Sequence, residues 1–170
     1  MNLQILLLLL AVSGWFDLRE RRIPNGLILF GILVSAGLAS VEGGITALLS
    51  TVFGLLAGLV ALLPFFALRV VGAGDVKLMA MVGGFAGAKA LLPILLYTFI
   101  AGGLLAGIAL IATRRGDHAL SNFKLIFAAM ASRAAGASIS VADLGLKTAY
   151  RLPYALAIAI GVLAWLLTRS

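Results

Sequence analysis

Long apolar runs alternate with short polar breaks along the whole chain, and the rhythm divides it into six stretches. The first run, Leu3 to Phe16, is rich in leucine and free of charge, which predicts a helix that ends where Asp17-Leu18-Arg19-Glu20-Arg21-Arg22 opens a charged loop. Ile23-Pro24-Asn25 then starts a second helix running to about Ser40, Pro24 suiting a first turn because its missing N–H is not needed there. Val41 to Gly44 reads as a tight turn. A third run, Ile45 to about Val71, would give about 40 Å of helix, long enough to demand tilt, a kink near Pro64 or an extension beyond a bilayer. The fourth, from Asp75 to about Gly87, gives only about 20 Å against about 30 Å of hydrocarbon, so either it continues through Lys89 to Leu92 or the bilayer thins there. The fifth covers about Ala90 to Ala112 and the sixth about Leu152 to Thr168.

Composition turns these runs into membrane spans. The 170 residues are 63% hydrophobic and 11% charged, with a mean hydropathy of +1.18. A soluble domain of this length could not hide so much apolar surface. The expectation is an all-α integral membrane protein of about six transmembrane helices in one bundle, residues 1–170 forming a single domain. Leu3 to Phe16 could also be a signal-peptide core, with Ala11-Val12-Ser13 as a loose cleavage site, but Met1-Asn2 supplies no basic leader before it, and it is kept as a span. Trp15 would sit at the membrane interface.

The net charge of +7 would suggest nucleic acid in a soluble protein. Here the basic residues lie between hydrophobic runs, so topology and anionic lipid account for them better, and no nucleic-acid partner is expected. Eleven basic residues, from Arg19 to Arg151, fall in the loops after the first, third and fifth runs, against Lys89 and Arg169 on the other side. The positive-inside rule therefore turns those loops to the cytoplasm and leaves both termini outside. The same count brings Asp17 and Asp75 to one membrane face. The long loop from Thr113 to Arg151 carries Leu120, Phe123, Ile126, Phe127, Met130 and Ala134 at helical spacing, predicting an amphipathic surface helix; gating of substrate access is the sharper role for it. Glycine pairs at four-residue spacing (Gly54/Gly58, Gly83/Gly87 and Gly103/Gly107) point to close helix packing.

Two carboxylates stand out because ionisable groups at membrane depth are costly. Asp17 closes the first run and Asp75 opens the fourth. Brought together in a partly dry site they could not both ionise easily, so one would keep a proton as acid while the other acts as base toward water. That suits peptide hydrolysis without a metal, a cofactor or a covalent intermediate. Gly72 and Gly74 would let a substrate backbone approach. The plain reading is that each aspartate caps a helix or pairs with an arginine. With no cysteine and one histidine, His118, thiolate chemistry and a histidine metal site are excluded.

Gly72-Ala73-Gly74-Asp75-Val76-Lys77-Leu78, followed by Gly83, Gly84 and Gly87, resembles the G-x-G-D motif of the type IV prepilin peptidases, intramembrane aspartic proteases that remove the leader from pilin precursors. The family's first catalytic aspartate stands before an arginine-containing turn ending in Ile-Pro-Asn, and Asp17 through Ile23-Pro24-Asn25 is similar to it. Arg151-Leu152-Pro153-Tyr154 resembles the entry to the family's last span. The resemblance covers essentially the whole chain. It implies catalytic roles for Asp17 and Asp75, supporting roles for Gly72, Gly74, Lys77, Pro24 and Asn25, and a membrane-inserted prepilin partner with a short basic leader, a glycine at the cut and a hydrophobic helix beyond it. Pilus-assembly machinery is a further possible partner. Larger members carry Cys-x-x-Cys motifs in a methylating domain; their lack here looks like the short form found with Flp-type, tight-adherence pili, without methylation.

Helix dipoles suggest a division of labour. Asp17, at a carboxy-terminal helix end, would hold the proton, and Asp75, at an amino-terminal end, would ionise more readily. Lys77, two residues beyond Asp75, would project away from it and snorkel to the surface. Met79 is a possible wall of a substrate groove, helix packing being its plainer role. The competing classes are a small proton-coupled transporter, which would place charges near the midplane, and a non-catalytic pilus-assembly subunit, in which neither aspartate would matter.

Overall fold

The computed structural model describes residues 3–68, 71–113 and 154–169. Among these residues there are five helices and no strands: α1 (Leu3–Glu20), α2 (Asn25–Ala67), α3 (Ala73–Ala86), α4 (Ala88–Thr113) and α5 (Tyr154–Arg169). The amphipathic helix expected within 113–151, and His118, lie outside the described residues. Two helices, α2 and α4, hold stretches long and apolar enough to cross a membrane. Met1–Gly103 with Pro153–Ser170 forms one compact unit and Leu104–Leu152 another. The site residues all belong to the first unit, and from Leu104 α4 runs on to Thr113 within the second.

α1 is longer than the charge pattern suggested. Asp17-Leu18-Arg19-Glu20 continues the helix instead of forming a loop. Leucine, arginine and glutamate are good helix formers, and Arg19 in the last turn faces the negative end of the dipole. The helix stops at Arg21, whose φ of 52° is left-handed. Leu6, Leu10 and Ser13 are buried on one stripe, with Asp17 half-buried at its end, whereas Leu8 and Trp15 are each 64% exposed on the other side. The buried Ser13 hydroxyl donates to the Leu9 carbonyl at 2.8 Å, so it costs no unpaired polar atom.

α2 is two helical arms, 25–43 and 45–67, broken at Gly44. Gly44 has φ 59° and ψ −145°, a conformation that favours glycine. The break reverses the chain: Ser35 and Leu55 would be about 30 Å apart on one continuous helix, yet both lie within about 3 Å of a Cβ built on Gly84. The turn expected at Val41–Gly44 is this hairpin. The second arm ends at Ala67, short of Val71, and Pro64 sits within helical backbone, so the excess length is removed by an earlier stop and not by a proline kink.

α3 occupies the middle. Val76 and every residue from Leu78 to Phe85 are buried, the signature of a helix enclosed on all sides. A Cβ on Gly54 would collide with the Gly83 carbonyl, and one on Gly58 with the Met79 carbonyl. These contacts seat α3 against the second arm of α2 backbone to backbone. Gly87, at φ 78°, ends α3 and α4 begins at Ala88. α3 therefore does not continue through Lys89; at about 21 Å it stays short. α5 closes the unit through Ala155, Ala157, Ile158, Gly161, Val162 and Trp165, with Gly161 against Thr98 of α4.

Candidate active site

Asp75 lies in the first turn of α3. Its Oδ2 accepts the N–H of the N-cap residue Gly72 at 2.9 Å, while the Gly72 carbonyl accepts the N–H groups of Asp75 (3.1 Å) and Val76 (3.3 Å). The carboxylate is thereby fixed over an amide with no intrahelical acceptor, at the positive end of the helix. Gly72 leaves room for this: a Cβ there would stand 3.2 Å from Asp75 Oδ2.

Asp17 reaches the start of a different helix. Its Oδ2 accepts the N–H of Ala155 at 3.1 Å, a contact spanning 138 residues of sequence. Ala155 is in the first turn of α5 and fully buried. Arg21, one turn on, acts on Asp17 electrostatically. Tyr154, beside Ala155, is within the electrostatic reach of Asp75. The first two residues of α5 thus meet the influence of both carboxylates.

Helix ends alone do not divide the roles of the two aspartates. Asp17 lies in the last turn of α1, whose carboxy-terminal end disfavours its charge, but it also accepts an amide from the first turn of α5, whose positive end favours it. The two segments are also fastened directly. Lys77 is exposed, and its Nζ donates to Asn25 Oδ1 at 3.0 Å, a partner that helical spacing does not suggest. The side chain of Ile23 lies 3.5 Å from where a Cβ on Gly74 would stand. Pro24 precedes α2 as its N-cap in an extended conformation, not as a first-turn residue, and its carbonyl accepts the N–H of Leu27 at 3.1 Å. Met79 is 0% exposed and packs in the hydrophobic core, the plainer of its two expected roles. The residues that sequence reasoning missed are Tyr154 and the amide of Ala155; a backbone donor has no residue-type signature. Among the described residues no cluster of three potential metal ligands occurs.

The pattern of the type IV leader peptidase family matches residues 4–107, well over half of the chain and both aspartate segments. The chain belongs to this family. No curated protein and no solved structure matches the chain significantly. Membership makes it a protease of the prepilin-peptidase kind, with prepilins as its class of substrate, and together with the apolar helices α2 and α4 it indicates a membrane protein. The family match ends before α5, so the contacts of Tyr154 and Ala155 come from the structure alone.

Proposed function

We propose that this leader peptidase is an aspartic endopeptidase of the bacterial inner membrane that removes the short basic leader from Flp-type prepilins at the cytoplasmic face, with Asp17 and Asp75 as its dyad. Six spans with both termini outside are part of the reading. The observation that carries it is the joining of the two aspartate segments: Lys77 Nζ donates to Asn25 Oδ1 at 3.0 Å and the Ile23 side chain lies against Gly74, while Ala155 donates to Asp17 at 3.1 Å. An amide-anchored carboxylate is held in one orientation, as general acid–base chemistry requires.

In the reaction, one ionised aspartate takes a proton from water as the water oxygen attacks the scissile carbonyl carbon. The protonated partner donates to the carbonyl oxygen. Collapse of the tetrahedral species breaks the C–N bond, and the amine leaves with a proton returned by the dyad. The leader ends in a carboxylate and the pilin begins with a free amine, so no metal or redox partner is required. The fastening of Ile23 and Asn25 to Gly74 and Lys77 supports this reading by tying the turn after Asp17 to the helix of Asp75.

The test uses the full-length protein in lipid vesicles with an Flp-type precursor bearing a basic leader and a glycine at the cut. Mass spectrometry should find the leader with a free carboxyl end and the pilin with a free amino end. An intact precursor after prolonged incubation would contradict the reading, and proton flux coupled to solute uptake would favour the transporter class.

A further inference from the structure

The hydrogen bond between Ala155 and Asp17 goes beyond helix capping because of where its donor sits. A first-turn amide has no acceptor in its own helix. Ala155 is 0% exposed, so water cannot readily replace Asp17 as its partner. The donor is also held from behind. The Tyr154 hydroxyl oxygen lies 3.3 Å, and its Cζ 3.4 Å, from where a Cβ on Gly102 would stand, so the bare backbone of α4 receives the ring. About two turns further along α5, and one turn earlier on α4, Gly161 packs on Thr98. α5 is thus seated on α4 at two glycine contacts, and its first amide has little freedom to move.

We propose that the first turn of α5 is a positioning element of the active site, in which the Ala155 N–H, held in place by the seating of Tyr154 on Gly102, orients the Asp17 carboxylate for catalysis. This rests on the dyad reading above. Tyr154 and Ala155 are positioning residues: they act through Asp17. A charge-assisted amide bond is stronger than a neutral one and directional, and a small misplacement of a catalytic group is enough to slow a reaction strongly. The contact also ties the closing helix of the unit to the aspartate on its first helix.

Tyr154-Ala155 is the only Tyr-Ala pair in the chain, which allows a direct test. Full-length protein carrying carbonyl-¹³C tyrosine and ¹⁵N alanine gives one doubly filtered amide signal, that of Ala155. On Asp17→Ala this signal should move upfield and its exchange with water should quicken by about tenfold, the loss of one charged hydrogen bond. In parallel, Ala155→Pro removes the N–H at a first-turn position where proline is tolerated. Its kcat on the Flp-type precursor should fall by about tenfold or more with KM within about twofold, while Ala155→Gly, which keeps the N–H, retains most of kcat. If Ala155→Pro fails to fold, the amide signal still decides. An Ala155 signal and exchange rate indifferent to Asp17→Ala would overturn the inference, as would wild-type kcat in Ala155→Pro. If Asp17→Asn cleaves normally, the dyad reading falls and takes the positioning role with it; if Asp17→Asn is inactive and the signal does not move, only this inference falls.

Discussion

The two ends of α3 are built on opposite principles. At its start, directional and side-chain contacts hold it: Asp75 on Gly72 within the first turn, and Lys77 on Asn25 and Ile23 on Gly74 between segments distant in sequence. Further along, Gly83 and Gly54 meet backbone to backbone, and bare Gly84 takes the side chains of Ser35 and Leu55. A cavity of about 290 Å³ lies at that second end, lined by Glu42, Thr51 and Gly87 among others, away from both aspartates. The first end can be altered atom by atom with the packing intact, whereas an atom added at Gly54 or Gly83 meets the backbone of the facing helix. Chemistry is thus placed where directional bonds hold it, and stability where close packing does.

Breaking the packed end should have the largest effect on the fold. Gly54→Leu or Gly83→Leu drives a side chain into a carbonyl of the facing helix, and such overpacking costs about 3 kcal/mol or more; thermal unfolding in detergent should register the loss, and an unchanged midpoint would refute backbone contact there. At the polar end, Gly72→Ala places a methyl 3.2 Å from Asp75 Oδ2. Precursor cleavage should slow by about tenfold while the unfolding midpoint stays close to wild type, separating chemistry from packing.

Asn25→Ala and Lys77→Met each remove one exposed hydrogen bond and should destabilise by about 1 kcal/mol; the double variant should be no worse than the worse single, which a mutant cycle in unfolding free energy would check. The smallest effect is expected at Gly103, where a Cβ meets nothing within 4 Å among the described residues. Gly103→Ala should change stability by about 1 kcal/mol or less, and toward gain, because alanine is the better helix former.

Much of this contrast was readable from residue types. Gly44 announced a turn, and the spacing of Gly54/Gly58 and Gly83 announced close helices. The pair Gly103/Gly107 had the same spacing but has no close neighbour among the described residues, since spacing says that a helix face is smooth and not that anything rests on it. The end of α1 was misread because charge was taken for a break, whereas Leu18, Arg19 and Glu20 have high helix propensity and their charges can reach water from a helix end. The division of roles between the aspartates is not decided by helix ends alone. It used only the helix each residue belongs to, and Asp17 is also answered by the helix it touches, through an amide 138 positions away that any residue but proline could supply.

The most direct measurement is the initial rate of leader removal from an Flp-type precursor by wild-type, Asp17→Asn and Asp75→Asn protein in the same vesicles. Asparagine keeps the shape of the side chain, and with it an oxygen to accept the Ala155 or Gly72 amide, but can neither take nor give the proton. Both variants are expected to lose cleavage by about 10²-fold to 10⁴-fold, down to background, while remaining folded. Cleavage by either variant at the wild-type rate would contradict the dyad.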